Sequence, residues 1–183
     1  MTARDFDPFR LDVVAFAKEA GQLDGRWPLA GFERIAESAA AGVPVTEADQ
    51  VGWSARGEQR QLRGGESQTW LHVEATAQVS LECQRCLKPV GVPLKIARKF
   101  LFVHGEDAAA QLDTDSDDDV LAITRALDLH ELIEDELLLA LPIVPRHEVC
   151  PEPLAAASDD DELAEDKPNP FAALAALKRS NLN

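Results

Sequence analysis

Apolar and polar residues alternate one for one through WLHVEATAQVSLEC (70–83). Leu71, Val73, Ala75, Ala77, Val79, Leu81 and Cys83 share one side; His72, Glu74, Thr76, Gln78, Ser80 and Glu82 share the other. That period of two predicts a half-buried strand of an antiparallel sheet. VGVPLKIARKFLF (90–102) repeats it with Val90, Val92, Leu94, Ile96, Phe100 and Phe102 aligned. VPVTEADQVGWSAR (43–56) follows it imperfectly through Val43, Val45, Val51, Trp53 and Ala55. QRCLKP joins the strands at 70–83 and 90–102 as a hairpin loop, RGGES (63–67) is another turn, and DVLAI (119–123) adds a strand.

Helical spacing brackets this region. In FRLDVVAFAKEA, Phe9, Val13, Phe16 and Ala20 make one apolar face, with Asp7 as cap, Pro8 at the first helical position and Gly21 as stop. GQLDGRW (21–27) reads as a turn, and a second helix runs from Pro28 to about Ala41 with Leu29, Phe32, Ile35 and Ala36 inward and Gly42 as its end. The acidic, polar GEDAAAQLDTDSDDD (105–119) reads as a mobile loop. DLHELIEDELLLALP (128–142) is the clearest helix, with Asp128 as N-cap, Glu131 completing a capping box and Pro142 just past its end. A second acidic run, SDDDELAED (158–166), precedes a short helix capped by Asn169, with Pro170 at its first position and Phe171, Leu174 and Leu177 on one stripe. The sum is a single α+β domain: an antiparallel sheet of four to six strands packed with helices over residues 1–150, then an acidic tail, 151–183, ending in a short amphipathic helix.

Composition narrows the function. The chain has 183 residues, 45% of them hydrophobic, enough for a packed core. LLLALPIV (137–144) falls far short of the ~20 apolar residues of a membrane span. The opening MTARDFDPFR lacks the apolar centre of a signal peptide, and three cysteines do not make a disulfide framework, so a cytoplasmic protein is expected. The net charge of −15 is uneven. Residues 1–103 carry 13 Lys/Arg and 13 Asp/Glu; residues 104–183 carry 5 and 20. The acidic part suits a basic protein partner, and any RNA contact belongs to the first 103 residues.

Candidate chemistry centres on LECQRCLKPV (81–90). Cys83-x2-Cys86 in a hairpin loop is a half-site for structural zinc, and His147-x2-Cys150 would complete three sulfurs and one nitrogen. Two other readings stand beside it: three reduced thiols with Cys83 buried at a strand end, or a redox pair. A thiol nucleophile is disfavoured, because none of His72, His104, His130 and His147 shares a recognisable signature with a cysteine. Glu134, Asp135 and Glu136 raise metal-assisted RNA cleavage, but nucleases draw acids from several elements, and a solvated helix face is the simpler reading. Arg56, Arg60, Arg63, Arg85, Lys88, Lys95, Arg98 and Lys99 would form a positive patch if the sheet brings them together, with Arg85 and Lys88 at the hairpin tip as contacts for RNA or a partner. The stripe of Phe171, Leu174 and Leu177 either docks into another protein or folds back on its own core.

Three segments together carry a family resemblance: LECQRCLKPV, LHELIEDELLLALPIVPRH with Cys150, and KPNPFAALAALKR (167–179), with GFERIAES (31–38) also fitting. In these the chain resembles the YceD-like large ribosomal RNA subunit accumulation proteins, over nearly its whole length. The resemblance implies a role in making, processing or stabilising 23S ribosomal RNA, without an established catalytic activity. Some relatives carry further cysteines after the EDELLLALP helix, which supports a metal site in the ancestral fold. The expected protein is thus a non-enzymatic factor that binds a ribosomal protein, a precursor large subunit or a processing enzyme. The alternatives are a zinc-stabilised RNA-binding module and an RNA-processing enzyme.

Overall fold

The computed structural model describes residues 5–62, 64–65, 67–116 and 118–151. The expected acidic tail and its helix, including Asn169, Pro170, Phe171, Leu174 and Leu177, lie outside them. The described elements are α1 (Val13–Lys18), β1 (Gln22–Pro28), α2 (Glu33–Glu37), β2 (Gln50–Gln61), β3 (Ser67–Glu82), β4 (Pro89–Val103), α3 (Glu106–Asp115), β5 (Asp119–Ala122) and α4 (Leu129–Leu139). The strands form one sheet in chain order. β1 to β4 pair antiparallel, as the alternation predicts for β2, β3 and β4. β5 instead lies parallel to β4, because α3 carries the chain back along the sheet, so the sheet is mixed.

The alternating residues of β3 and β4 face a common core. Leu71, Val73, Leu81, Cys83, Leu94, Ile96 and Phe100 are buried, and so are Phe16 of α1, Phe32 just before α2 and Ile35 within it, and Leu129, Ile133 and Leu137 of α4. These three α4 positions follow i, i+4, i+8, the stripe that seats a helix on a sheet. Asp128 caps α4 by accepting from the backbone N–H groups of His130 and Glu131.

Several expected boundaries move, each for a tertiary reason. Helix α1 starts at Val13 rather than beside Pro8. Leu11 exchanges both backbone hydrogen bonds with Leu127, which forbids helix there, and Asp12 becomes the cap by accepting from Ala15 N–H at 3.0 Å. Asp7 only closes the preceding turn, on Phe9 N–H. The expected turn GQLDGRW is strand β1, with Leu23, Gly25 and Trp27 half-buried and Gln22, Asp24 and Arg26 exposed. Pairing with β2 overrides its turn-like residues, and Gly25 leaves room for the Trp53 ring, 3.2 Å from where a Cβ would stand. The second helix breaks at Phe32 (ψ 81°) into a 3-10 turn, Leu29–Gly31, and α2. Leu29, Phe32 and Ile35 recur every three residues, a spacing the 3-10 turn serves better. The strand expected from Val43 begins only at Gln50, after the loop Thr46–Asp49.

The acidic loop at 105–119 is largely helix α3. Its alanines favour helix, Glu106 and Asp107 complement the N-terminal dipole, and Ala109 packs on Trp70, Leu101 and Val120 on the opposite side of the sheet from the main core. The acids of α4 are only in part a solvated face: Glu131 and Asp135 are exposed, whereas Glu134 and Glu136 are each only 7% exposed.

Candidate metal centre

The β3–β4 hairpin positions the first two thiols. Beyond β3 the chain turns tightly: Leu87 N–H donates to the Cys83 carbonyl at 2.8 Å, and Leu87 itself takes a positive φ of 59°. Cys83 N–H donates to the Lys88 carbonyl at 3.0 Å. After α4, Pro142 stops the helix, and the strap 141–150 runs back to the hairpin, where Gln84 N–H donates to the Pro145 carbonyl at 2.9 Å. The strap thereby delivers His147 and Cys150.

The four ligand atoms of Cys83, Cys86, His147 and Cys150 lie within 4.8 Å of one another, a grouping that could hold a metal ion. Cys83 is buried and the others are half-buried. His147 Nε2 sits 3.0 Å from the Pro89 carbonyl, which can only accept, so Nε2 carries the proton. In the neutral ring the lone pair then falls on Nδ1, the atom 3.5 Å from Cys86 Sγ. A metal-ligating histidine is held in its tautomer in the same way. The Arg85 guanidinium braces the strap, donating from Nε to Cys150 Sγ at 3.0 Å and from Nη2 to the His147 carbonyl at 3.1 Å.

Electrostatics favour a cation at the centre. Burial pushes the Cys83 thiol up, but the backbone N–H groups of His147, Arg85 and Cys86 overrule it and bring it down to about 5. The Cys86 thiol is pushed up, by burial first and then by the thiols of Cys150 and Cys83 beside it. Three sulfurs this close resist ionising together, and a divalent ion removes that resistance by binding thiolates directly.

The α4 acids are engaged elsewhere. Arg34 donates to Glu134 from its backbone N–H (2.8 Å), Nε (3.1 Å) and Nη2 (2.9 Å), and to Asp135 from Nη1 (2.6 Å). Arg98 Nε donates to Glu136 at 2.8 Å. The basic residues divide. Arg56, Arg60, Lys95 and Lys99 stand on the sheet face away from the main core, Arg98 turns to the core side, Arg85 and Lys88 stay at the hairpin, and Arg63 lies outside the described residues. Sequence reasoning missed the two carbonyls, of Pro89 and Pro145, that organise the centre, since backbone groups leave no trace in residue type. It also missed Arg34, although that residue lies inside the GFERIAES segment.

Among the described residues no helix is long and apolar enough to cross a membrane. Comparison with known proteins places these features in a wider setting. The family model described as Large ribosomal RNA subunit accumulation protein YceD matches residues 71–178. The chain is 32% identical over 177 residues to the Large ribosomal RNA subunit accumulation protein YceD of Haemophilus influenzae, covering 94% of this chain and 96% of that one. No solved structure matches.

Proposed function

Since the chain belongs to the family of large ribosomal RNA subunit accumulation proteins YceD, we propose that it is a non-enzymatic factor for the synthesis, processing or stability of 23S rRNA and for large-subunit assembly. It acts by binding a ribosomal protein, a precursor particle or a processing enzyme in the cytoplasm. The family membership carries this reading. The ion pairs of Glu134, Asp135 and Glu136 support it, because carboxylates committed to Arg34 and Arg98 are poorly placed to hold catalytic metals.

In this reading Cys83, Cys86, His147 and Cys150 hold structural zinc. Bonds of about 2.3 Å to sulfur and 2.0–2.1 Å to nitrogen at the tetrahedral angle put S and N about 3.6 Å apart, close to the Cys86–His147 distance. The ion pins the strap to the hairpin and fixes the surface they share. That surface carries Lys88, the outer edge of Arg85 and unusually exposed aliphatics: Leu87 is 68% exposed, Val149 85% and Ile143 99%. Rigidly held apolar side chains beside cations make a protein-docking edge. The tail residues Asn169, Pro170, Phe171, Leu174 and Leu177 provide a second attachment to the partner.

The test is the ratio of 23S to 16S rRNA, with the ribosome gradient profile, in cells lacking the gene. The expected result is a selective fall in 23S rRNA and large subunits, restored by the wild-type gene and not by one carrying Cys86→Ser with Ile143→Asp. An unchanged ratio would refute the reading.

A further inference from the structure

The sheet has a second, open surface that the docking edge does not use. On the face turned from the main core, Arg56, His72 and Lys99 are cross-strand neighbours on β2, β3 and β4. Four residues along, Arg26, Gly52, Thr76 and Lys95 form a parallel row. Neighbouring strands lie about 5 Å apart and the two rows about 14 Å apart. The row between them holds Asp24, Ser54, Glu74 and Ala97. Helix α3 covers this face only around Trp70 and Leu101, so the two cationic rows stay open.

The cations there are largely uncommitted. Glu58 takes Arg60 at 2.7 Å and His72 at 2.7 Å, with Arg56 more distant at 3.9 Å. Among the described residues, Arg26, Lys95 and Lys99 enter no ion pair. In a chain of net charge −15, the open rows, with Arg26, Arg56, Lys95 and Lys99 against Asp24 and Glu74, are a local exception, bordered by the acids of α3 on one side. Its floor is small and flat, built from Gly52, Ser54, Thr76 and Ala97. No large exposed hydrophobic stands on it; those residues lie elsewhere, several around the hairpin and strap.

We propose that this face binds the phosphodiester backbone of RNA without reading its sequence. Rows of long cations over small residues suit a chain of phosphates, and neutralising phosphates with Lys and Arg supplies sequence-independent affinity. The face lacks the apolar centre that an acidic protein partner would need. It also lacks an open stacking platform, since α3 covers Trp70 and Arg60 stacks over its ring at 4.6 Å. The proposal does not rest on the metal centre or on the docking edge.

The experiment is fluorescence anisotropy of the full chain with a labelled RNA stem-loop across a salt series. The triple variant Arg56→Gln, Lys95→Gln, Lys99→Gln is compared with a control of equal net charge, Arg10→Gln, Lys18→Gln, Arg125→Gln. Circular dichroism verifies that both are folded. The expected result is at least a tenfold loss of affinity in the sheet variant alone, with the slope of log K against log salt reduced by about 2. Three results would overturn the proposal: no binding by the wild type at 50 mM salt, equal weakening in both variants, or displacement of the RNA by polyglutamate at equal charge concentration, which would make the face a site for acidic protein.

Discussion

Cys86 Sγ stands 3.5 Å from His147 Nδ1 although 61 residues of chain separate them. The contact closes the strap onto the hairpin, and it exists because Pro89 and Pro145 offer backbone carbonyls at the right places. If zinc occupies the centre, it should copurify in a one-to-one ratio, as read by elemental mass spectrometry. Cys86→Ser should remove it. With zinc about 1,000-fold above its dissociation constant, binding contributes about 4 kcal/mol, or roughly 8–16 °C in Tm for a domain of this size. A Cys86→Ser protein with the parent's Tm, together with a metal-free parent, would leave only reduced thiols.

Arg34 and Glu134 should respond unequally to truncation. The Arg34 side chain is 47% exposed and its loss strands a buried carboxylate; the Glu134 side chain is 10% exposed and its loss leaves a guanidinium that reaches water and Asp135. Arg34→Ala should therefore lower the denaturant midpoint clearly more than Glu134→Gln, whose cost should be about 1 kcal/mol. Equal costs would mean that the burial of Glu134 is energetically unimportant.

Gly57 is a point of direct backbone contact between β2 and α1. A Cβ there would lie 2.7 Å from the Phe16 carbonyl oxygen and 2.8 Å from the Ala17 Cα. Gly57→Ala should destabilise by about 1–3 kcal/mol. Gly52→Ala on the same strand, facing only Thr76 Oγ1 at 3.5 Å, should fall within about 1 kcal/mol of wild type in the same thermal melts.

The Glu58 carboxyl is held down at about 2, by hydrogen bonds from Arg60 first and His72 second, against an ordinary value of 4.5. Because the folded value is depressed, the stabilisation is complete above about pH 4.5 and disappears as pH falls toward 2. Glu58→Gln should flatten the stability profile across that acid window and change its shape little above pH 5. A variant that kept the parent's acid slope would assign that slope to other groups.

Deleting residues 167–183 tests the tail as a partner attachment. The expected outcome is failure to restore 23S rRNA in cells lacking the gene, with the Tm of the remaining protein unchanged. A lower Tm would show instead that the stripe folds back on its own core.

The alternation in 70–83 and 90–102 was legible because a hairpin with one buried face must place every second side chain inside. The i, i+4, i+8 stripe of α4 was legible for the same reason. β1 was not, since Gly25 and Asp24 look like turn residues until Trp53 is seen to need the space above the glycine. α3 was hidden by its acids, which mark loops by composition but suit a helix N-terminus by position. At the candidate site the residue types pointed to Cys83, Cys86, His147 and Cys150, while the bracing by Arg85 and the two carbonyls depended on a fold that sequence spacing does not encode.

Strands β1 to β4 lie beside their chain neighbours, so each can pair soon after it is made. The apolar side of that meander is closed in part by Leu129, Ile133 and Leu137, which come much later in the chain. A nascent or truncated product ending before residue 129 therefore presents a nearly finished sheet with a bare, greasy underside, a species expected to bind hydrophobic dyes and recruit chaperones. Helix α4 acts as the trailing cover, and a ribosome pausing ahead of it would leave the protein at its most aggregation-prone.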